Sequence, residues 1–263
     1  MHGADALRWL DALVSADLDD LAPGRARRAA FLSPTGAVLA EFTVAAPGGS
    51  VLLLQDPAQP RPIDHLLAPY VLSSDVRLSD RTGELGAFAF PGRSEPPDAP
   101  GGAFSAPSAL GLGVDVICLE EDAERLRSSF SKAFVVASQE DVEKWRVRAG
   151  IARFAIDASS GDLPMECGLE GTVDVAKGCF LGQEAVAKVQ NLGHPRRVLL
   201  HLEASGPVHR GDVVLADGEE VGAVTSAAAV AGHWYALAKV RWGASPPFRS
   251  VQGVELRPPG PRT

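Results

Sequence analysis

Apolar positions along the chain change period several times. Leu7, Leu10 and Val14 recur at helical spacing behind Asp5, which predicts a helix within 4–14. Ala29 to Leu32 and Ala37 to Val44 are short apolar runs of strand type. Between them Ser33-Pro34-Thr35-Gly36 sets proline second and glycine fourth, which is turn chemistry. Val51 to Leu54 predicts a third strand. Ile63, Leu66, Leu67, Tyr70 and Val71 fit one helix face that Pro69 bends or ends. Val76 to Leu78, Ala87 to Phe90 and Val114 to Leu119 read as strands. Glu120, Glu121 and Asp122 suit the positive end of a helix whose buried face is Ala123, Leu126 and Phe130. Phe134 to Ala137 predicts another strand. Ser138-Gln139-Glu140-Asp141 resembles a capping box that opens a helix, with Val142, Trp145 and Ala149 on one face and Gly150 as its stop.

The texture shifts at Arg197. Val198–Leu202, Val213–Leu215, Val221–Thr225, Trp234–Val240 and Val254–Leu256 are short strands at close spacing, with Asp217-Gly218 as a hairpin signal. They predict a small barrel or sandwich. Residues 91–108 are rich in proline and glycine, which predicts a mobile surface loop without regular structure. The chain therefore reads as α+β with an all-β tail.

Composition narrows the classes. A chain of 263 residues buries a substantial core. A net charge of −8 argues against a general nucleic-acid binder but leaves room for one local basic groove. No basic segment followed by an apolar run opens the chain, and no stretch approaches a membrane span, so neither a signal peptide nor a membrane partner is expected. Cys118, Cys167 and Cys179 are odd in number and lack a disulfide framework, which suits a reducing cytoplasm. Gly111-Leu112-Gly113 lacks the third glycine of a dinucleotide fingerprint. The six histidines have no metal-like spacing.

One octet carries the sharpest chemistry: Lys177-Gly178-Cys179-Phe180-Leu181-Gly182-Gln183-Glu184. It sets a thiol between two glycines, shortly after a cation and just before a helix predicted over 183–190. Unpaired N–H groups at a helix start favour a thiolate, and Lys177 is expected to act in the same direction. Gly178 and Gly182 permit backbone angles and close approach that a side chain blocks. The alternative is that Cys179 is a small buried hydrophobe.

The octet resembles the signature of the YgfZ family of folate-binding proteins, relatives of the glycine-cleavage T-protein. Leu163-Pro164-Met165-Glu166 resembles that family's Leu/Ile-Pro-x-Glu segment, and Arg146-Val147-Arg148-Ala149-Gly150-Ile151 its Arg-Ile-x-x-Gly stretch. Asn191-Leu192-Gly193 and Arg196-Arg197 lead into a tail like the family's barrel, and the opening through Gly36 matches more loosely. The likeness is strong over 138–197 and weak over 45–110.

The resemblance implies a T-protein/YgfZ arrangement. Residues 1–195 would form two interwoven α/β subdomains around a central cavity, and 196–263 a C-terminal β-barrel. It implies a tetrahydrofolate-binding accessory factor for iron–sulfur cluster assembly or repair, whose partners are iron–sulfur enzymes or cluster-assembly proteins. Cys179 would be the reactive thiol and a transient cluster ligand, with Lys177, Gly178, Gly182, Gln183 and Glu184 shaping its loop. Glu166 would accept two hydrogen bonds from a pterin edge, or be an exposed loop carboxylate. Arg146 would bind a folate carboxylate, or be a solvated helix charge. Arg148 stands where the family often has glutamate, and a cation does not replace a carboxylate facing donors. Asp64 loosely resembles the acidic residue that assists one-carbon transfer in T-proteins; an ordinary first-turn aspartate fits as well. A folate-dependent aminomethyl- or methyltransferase is the alternative function, and a redox sensor pairing Cys167 with Cys179 is a third.

Overall fold

The computed structural model describes residues 1–22, 25–99, 102–108, 113–159 and 161–260. Gly111 and Leu112 of the Gly-Leu-Gly run lie outside the described residues. The fold is mixed α/β with a closed barrel of six strands. The chain forms two compact units that interleave in sequence: residues 1–34, 39–136 and 172–183, and residues 35–38, 137–171 and 184–263.

The first unit holds two three-stranded sheets. In one, β1 (Ala26–Leu32), β2 (Val38–Ala45) and β3 (Leu52–Gln55) lie in chain order. Helices α1 (Ala6–Asp11) and α2 (Ile63–Leu67) cover it. Leu10, Val14, Phe31, Val44 and Leu67 form its fully buried centre. In the other, β4 (Leu85–Pro91) and β5 (Phe104–Pro107) flank β6 (Gly113–Leu119), all antiparallel. Helix α3 (Glu120–Phe130) packs on it through Leu126 and Phe130. Phe88, Phe90, Phe130 and Phe134 meet edge to face at 5.0–5.3 Å, the geometry ring quadrupoles favour.

Three sequence expectations fail here. The 91–108 segment contains strand β5, paired with β6 from Phe104↔Ile117 to Pro107↔Val114. An edge strand tolerates proline because its outward N–H side needs no partner, and Ala106 supplies a buried contact. Conversely, Phe134 to Ala137 is no strand. Phe134 alone packs inward, while Val135 and Val136 are 97% and 72% exposed. The strand expected at 76–78 is reduced to one bridge between His2 and Arg77.

In the second unit, α4 (Gln139–Ala149) opens on a reciprocal capping box. Asp141 N donates to Ser138 Oγ at 3.1 Å, and Ser138 N donates to Asp141 Oδ2 at 3.2 Å. Gly150 ends α4 at φ 75°, a left-handed angle that glycine adopts without penalty. Helix α5 spans Gln183–Leu192. The barrel strands are β7 (Arg197–Ala204), β8 (Val213–Ala216), β9 (Glu219–Val230), β10 (His233–Arg241), β11 (Phe248–Ser250) and β12 (Glu255–Arg257). Their order is β10-β7-β12-β11-β8-β9, and β9 pairs back onto β10, so no sheet edge remains. Leu202, Val214, Ala236, Ala238, Val240, Phe248 and Leu256 fill the interior. Asp217 and Gly218 both have positive φ, 51° and 81°, as a two-residue hairpin requires. Strand β11 gave no sequence signal, because Phe248 is its one large apolar residue.

Candidate functional site

The loop at 172–183 is built by inward anchors. Ser15 Oγ donates to the Thr172 carbonyl at 2.6 Å, and Asp174 N donates to the Ser15 carbonyl at 2.8 Å. Lys177 then turns in, its side chain only 1% exposed. Its ammonium donates to Asp11 Oδ1 at 2.7 Å and to the carbonyls of Asp11, Val14 and Ala16 at 2.7, 3.1 and 2.7 Å. Phe180 is buried, with its ring centroid 5.7 Å from that ammonium. Leu181 packs against the core of the first unit. Phe180-Leu181-Gly182-Gln183 is a turn closed by Gln183 N donating to the Phe180 carbonyl at 3.3 Å. Gly182 sits third in it at φ 82°, the angle for which this turn type selects glycine. Lys177 and Phe180 thus point in, and Gly178 and Cys179 between them are exposed.

This corrects the expected role of Lys177. An ammonium has three protons, and four oxygens surround this one within 3.1 Å. Its charge is matched by Asp11, so Lys177 tethers the loop instead of serving the thiol as a counter-ion. Helix α5 starts at Gln183, where the sequence placed it, and a full turn lies between Cys179 and that start. What the loop gives Cys179 is access and a fixed position. Gly178 has φ outside the left-handed range, and a Cβ there would meet nothing within 4 Å. The fold itself does not require glycine at 178. Gln183 is half-buried and Glu184 exposed on the first turn of α5.

The other two cysteines differ in kind. Cys118 is 2% exposed on β6, and burial, with Asp122 and Glu120 nearby, pushes its thiol up from the ordinary 9.0. Cys167 is fully buried, with its Sγ 3.3 Å from the Leu163 carbonyl. Desolvation pushes that thiol up to about 12. A thiol so buried and so weakly acidic is a poor resolving partner for a disulfide.

Arg146 and Glu166 are corrected as folate contacts. Arg146 is 2% exposed. Its Nε donates to Glu143 Oε2 at 2.8 Å, and Nη1 donates to the Ile151 carbonyl at 2.8 Å and Asp157 Oδ2 at 2.6 Å. Its Nη2 donates to Ser226 Oγ at 2.8 Å and to Glu143 Oε1. All five guanidinium protons are used. Asp157, also buried, further accepts from Arg153 N at 3.0 Å, Thr225 Oγ1 at 2.6 Å and Ser226 Oγ at 2.7 Å. This network fastens α4 and the 151–157 turn to strand β9. Glu166 is 1% exposed on a single helical turn, Pro164–Glu166. Its Oε2 accepts from Leu163 N at 3.0 Å and its Oε1 from Arg196 N at 2.9 Å. It joins that turn to the start of β7 and offers no open edge to a pterin. Arg148 is exposed.

Asp64 lies half-buried in the first turn of α2, 4.0 Å from His65 Nε2. Among the described residues, no hydrogen bond or ion pair joins it to the thiol loop. Asp157, Ser226 and Asp11 escaped the sequence reading. Only the Glu143–Arg146 spacing of i,i+3 gave a signal that Arg146 was engaged. Asp11, Asp17 and Asp19 bring carboxylate oxygens within 4.8 Å of one another, but the Asp11 oxygen Oδ1 already accepts from Lys177 and from Leu18 N. Cys179 belongs to no group of three ligating side chains among the described residues.

No protein-family model matches the chain. It is 26% identical over 236 residues to an iron–sulfur cluster assembly factor IBA57 homologue, mitochondrial, of Cryptococcus neoformans, covering 76% of this chain and 62% of that protein. It is 23% identical over 252 residues to a putative chloroplastic transferase of Arabidopsis thaliana, covering 86% of this chain and 58% of the relative. The chain thus spans only about 60% of the length of these curated relatives. The fold superposes on the crystal structure of glycine cleavage system aminomethyltransferase T from Bartonella henselae with a TM-score of 0.78 at 15% identity, over 97% of this chain and 80% of that one. The octet, the sequence relatives and the shared fold together support a likeness of this chain to the YgfZ/T-protein-like family.

Proposed function

We propose that the protein is an accessory factor for iron–sulfur cluster assembly or repair that acts through Cys179. The observation that carries this reading is the contrast among the three thiols: Cys179 alone is exposed, on a loop anchored on both sides. The IBA57 homologue, an assembly factor by name, supports the same reading. Chemically, the Cys179 thiol loses its proton and its Sγ ligates one iron of a cluster that is cargo, not a resident group. A partner protein or small thiol supplies the remaining ligands, and the partners are cluster-assembly proteins or iron–sulfur enzymes. The cytoplasmic setting belongs to the same proposal, which requires only that Cys179 stay reduced.

Tetrahydrofolate binding is a further part of the reading, supported by the T-protein fold and the family resemblance. Arg146 and Glu166, expected to hold it, do not fit that role, because both are engaged inside the fold. Cys179→Ser, expressed in a cell lacking the native protein, is expected to fold normally and fail to restore iron–sulfur enzyme activity. Restoration equal to wild type overturns the proposal. The transferase reading is favoured by the aminomethyltransferase fold and the putative transferase relative. Loss of activity in Asp64→Asn with folding intact would support it.

A further inference from the structure

We propose that Asp11 is a positioning residue for Cys179, acting through Lys177. The inference deepens the cluster-handling role and rests on it. Asp11 is the last residue of α1, where helix carbonyls lack intrahelical donors. The Lys177 ammonium supplies donors to the Asp11, Val14 and Ala16 carbonyls there, and the Asp11 carboxylate supplies its counter-charge. The same Oδ1 accepts from Leu18 N at 2.8 Å, which fixes the carboxylate's own orientation. Leu10, the neighbour of Asp11, is fully buried in the core of the first unit. A continuous chain of contacts therefore runs from that core through Asp11 and Lys177 to a backbone point two residues before the thiol. Phe180 fixes the residue after it.

Gly178 shows why a tether is needed. It is exposed, touches nothing through a Cβ position and has no side chain to limit its backbone. Released from Lys177, the loop would pivot at Gly178 and carry Cys179 with it. Held by Lys177, the thiol is preorganised, which lowers the ordering cost when a partner's cluster docks. The clamp and a direct electrostatic effect of Lys177 on the thiol predict different things. The clamp concerns the mobility of residue 179; the electrostatic effect concerns only thiolate formation.

The test attaches a nitroxide maleimide to Cys179 in the native full chain, where Cys118 and Cys167 are buried. It reads the spin-label line shape, the thermal midpoint and iron–sulfur enzyme activity in cells lacking the native protein. The double variant Asp11→Asn with Lys177→Met removes both charges at once and leaves no unpaired buried ion. It also takes the donor from the Asp11, Val14 and Ala16 carbonyls, so its midpoint falls and is compared with that of Leu10→Ala. Its label is expected to become mobile, and activity to fall by between about 10- and 100-fold, the scale of a small misplacement. Asp11→Glu alone, which keeps a carboxylate beside Lys177, is expected to lie between wild type and the double variant in both readouts. Leu10→Ala is the control for general destabilisation: it lowers the midpoint but leaves the line shape as in wild type. A double variant with wild-type line shape and activity overturns the proposal. If the double variant does not fold, Asp11→Asn is compared with Leu10→Ala below both midpoints, and equal line shapes overturn it. If Cys179→Ser proves fully active, the functional reading fails, while the line shapes still decide the clamp.

Discussion

The thiol loop of the first unit and the Arg146–Asp157 network of the second are built from the same materials and do opposite things. Each buries a cation against a carboxylate and several neutral oxygens. In the loop the buried pair ends at Lys177, and the next two residues turn outward, so the burial displays a reactive group. In the network Arg146 and Asp157 are 2% and 1% exposed, and every donor is consumed internally. Hydrogen-bond accounting separates the two. A side chain whose donors or acceptors are all matched inside the fold cannot also recognise a ligand without first breaking those bonds.

The largest expected effect breaks the network. Arg146→Met leaves the Asp157 carboxylate buried without its cation, and should cost about 3–5 kcal/mol in denaturant unfolding. A loss below about 1 kcal/mol would mean that Arg146 is a surface-like charge free to serve a ligand.

A second effect comes from the buried thiol. Above pH 9.0 the unfolded chain gives up the Cys167 proton, while the folded protein keeps it to about 12. The folded state then holds more protons, so stability falls as pH rises through this window. Between about pH 8 and about pH 11, wild type should lose about 2–3 kcal/mol more than Cys167→Ala. Equal alkaline slopes would show that Cys167 reaches solvent in the folded protein. Cys118, raised in the same direction, leaves a shared residual slope.

The smallest of the three is Glu166→Gln. The amide presents one N–H pair toward a backbone donor, at a cost of about 1–3 kcal/mol in stability. Reduced-folate affinity, read from tryptophan fluorescence, should stay as in wild type. Weaker affinity with unchanged stability would return Glu166 to a ligand site and erase the contrast between the two regions.

Much of this was legible beforehand. The short, closely spaced strands after Arg197 predicted a barrel or a sandwich, of which the fold is the barrel, and Ser138 to Asp141 with Gly150 marked both ends of α4, because these signals are local. The octet singled out Cys179 as the reactive thiol, and the structure leaves it exposed. What the sequence hid was non-local. Lys177 meets Asp11 across 166 residues and Arg146 meets Ser226 across 80, and no short-range pattern encodes such partners. Strand β5 was hidden because its pairing with β6 outweighs the breaking tendency of proline and glycine. Phe134 to Ala137 misled because an apolar run with no partner strand is only a run.

The most direct test of the account is the order in which the three thiols react. In native protein under a small alkylating probe, Cys179 is expected to modify first, with Cys118 and Cys167 protected until denaturant is added, as mapped by peptide mass spectrometry. Access alone predicts this order, since Cys179 is exposed and the other two are at most 2% exposed. If Cys179 reacts no faster than Cys118 until the protein unfolds, the loop does not display its thiol, and the account of the site is wrong.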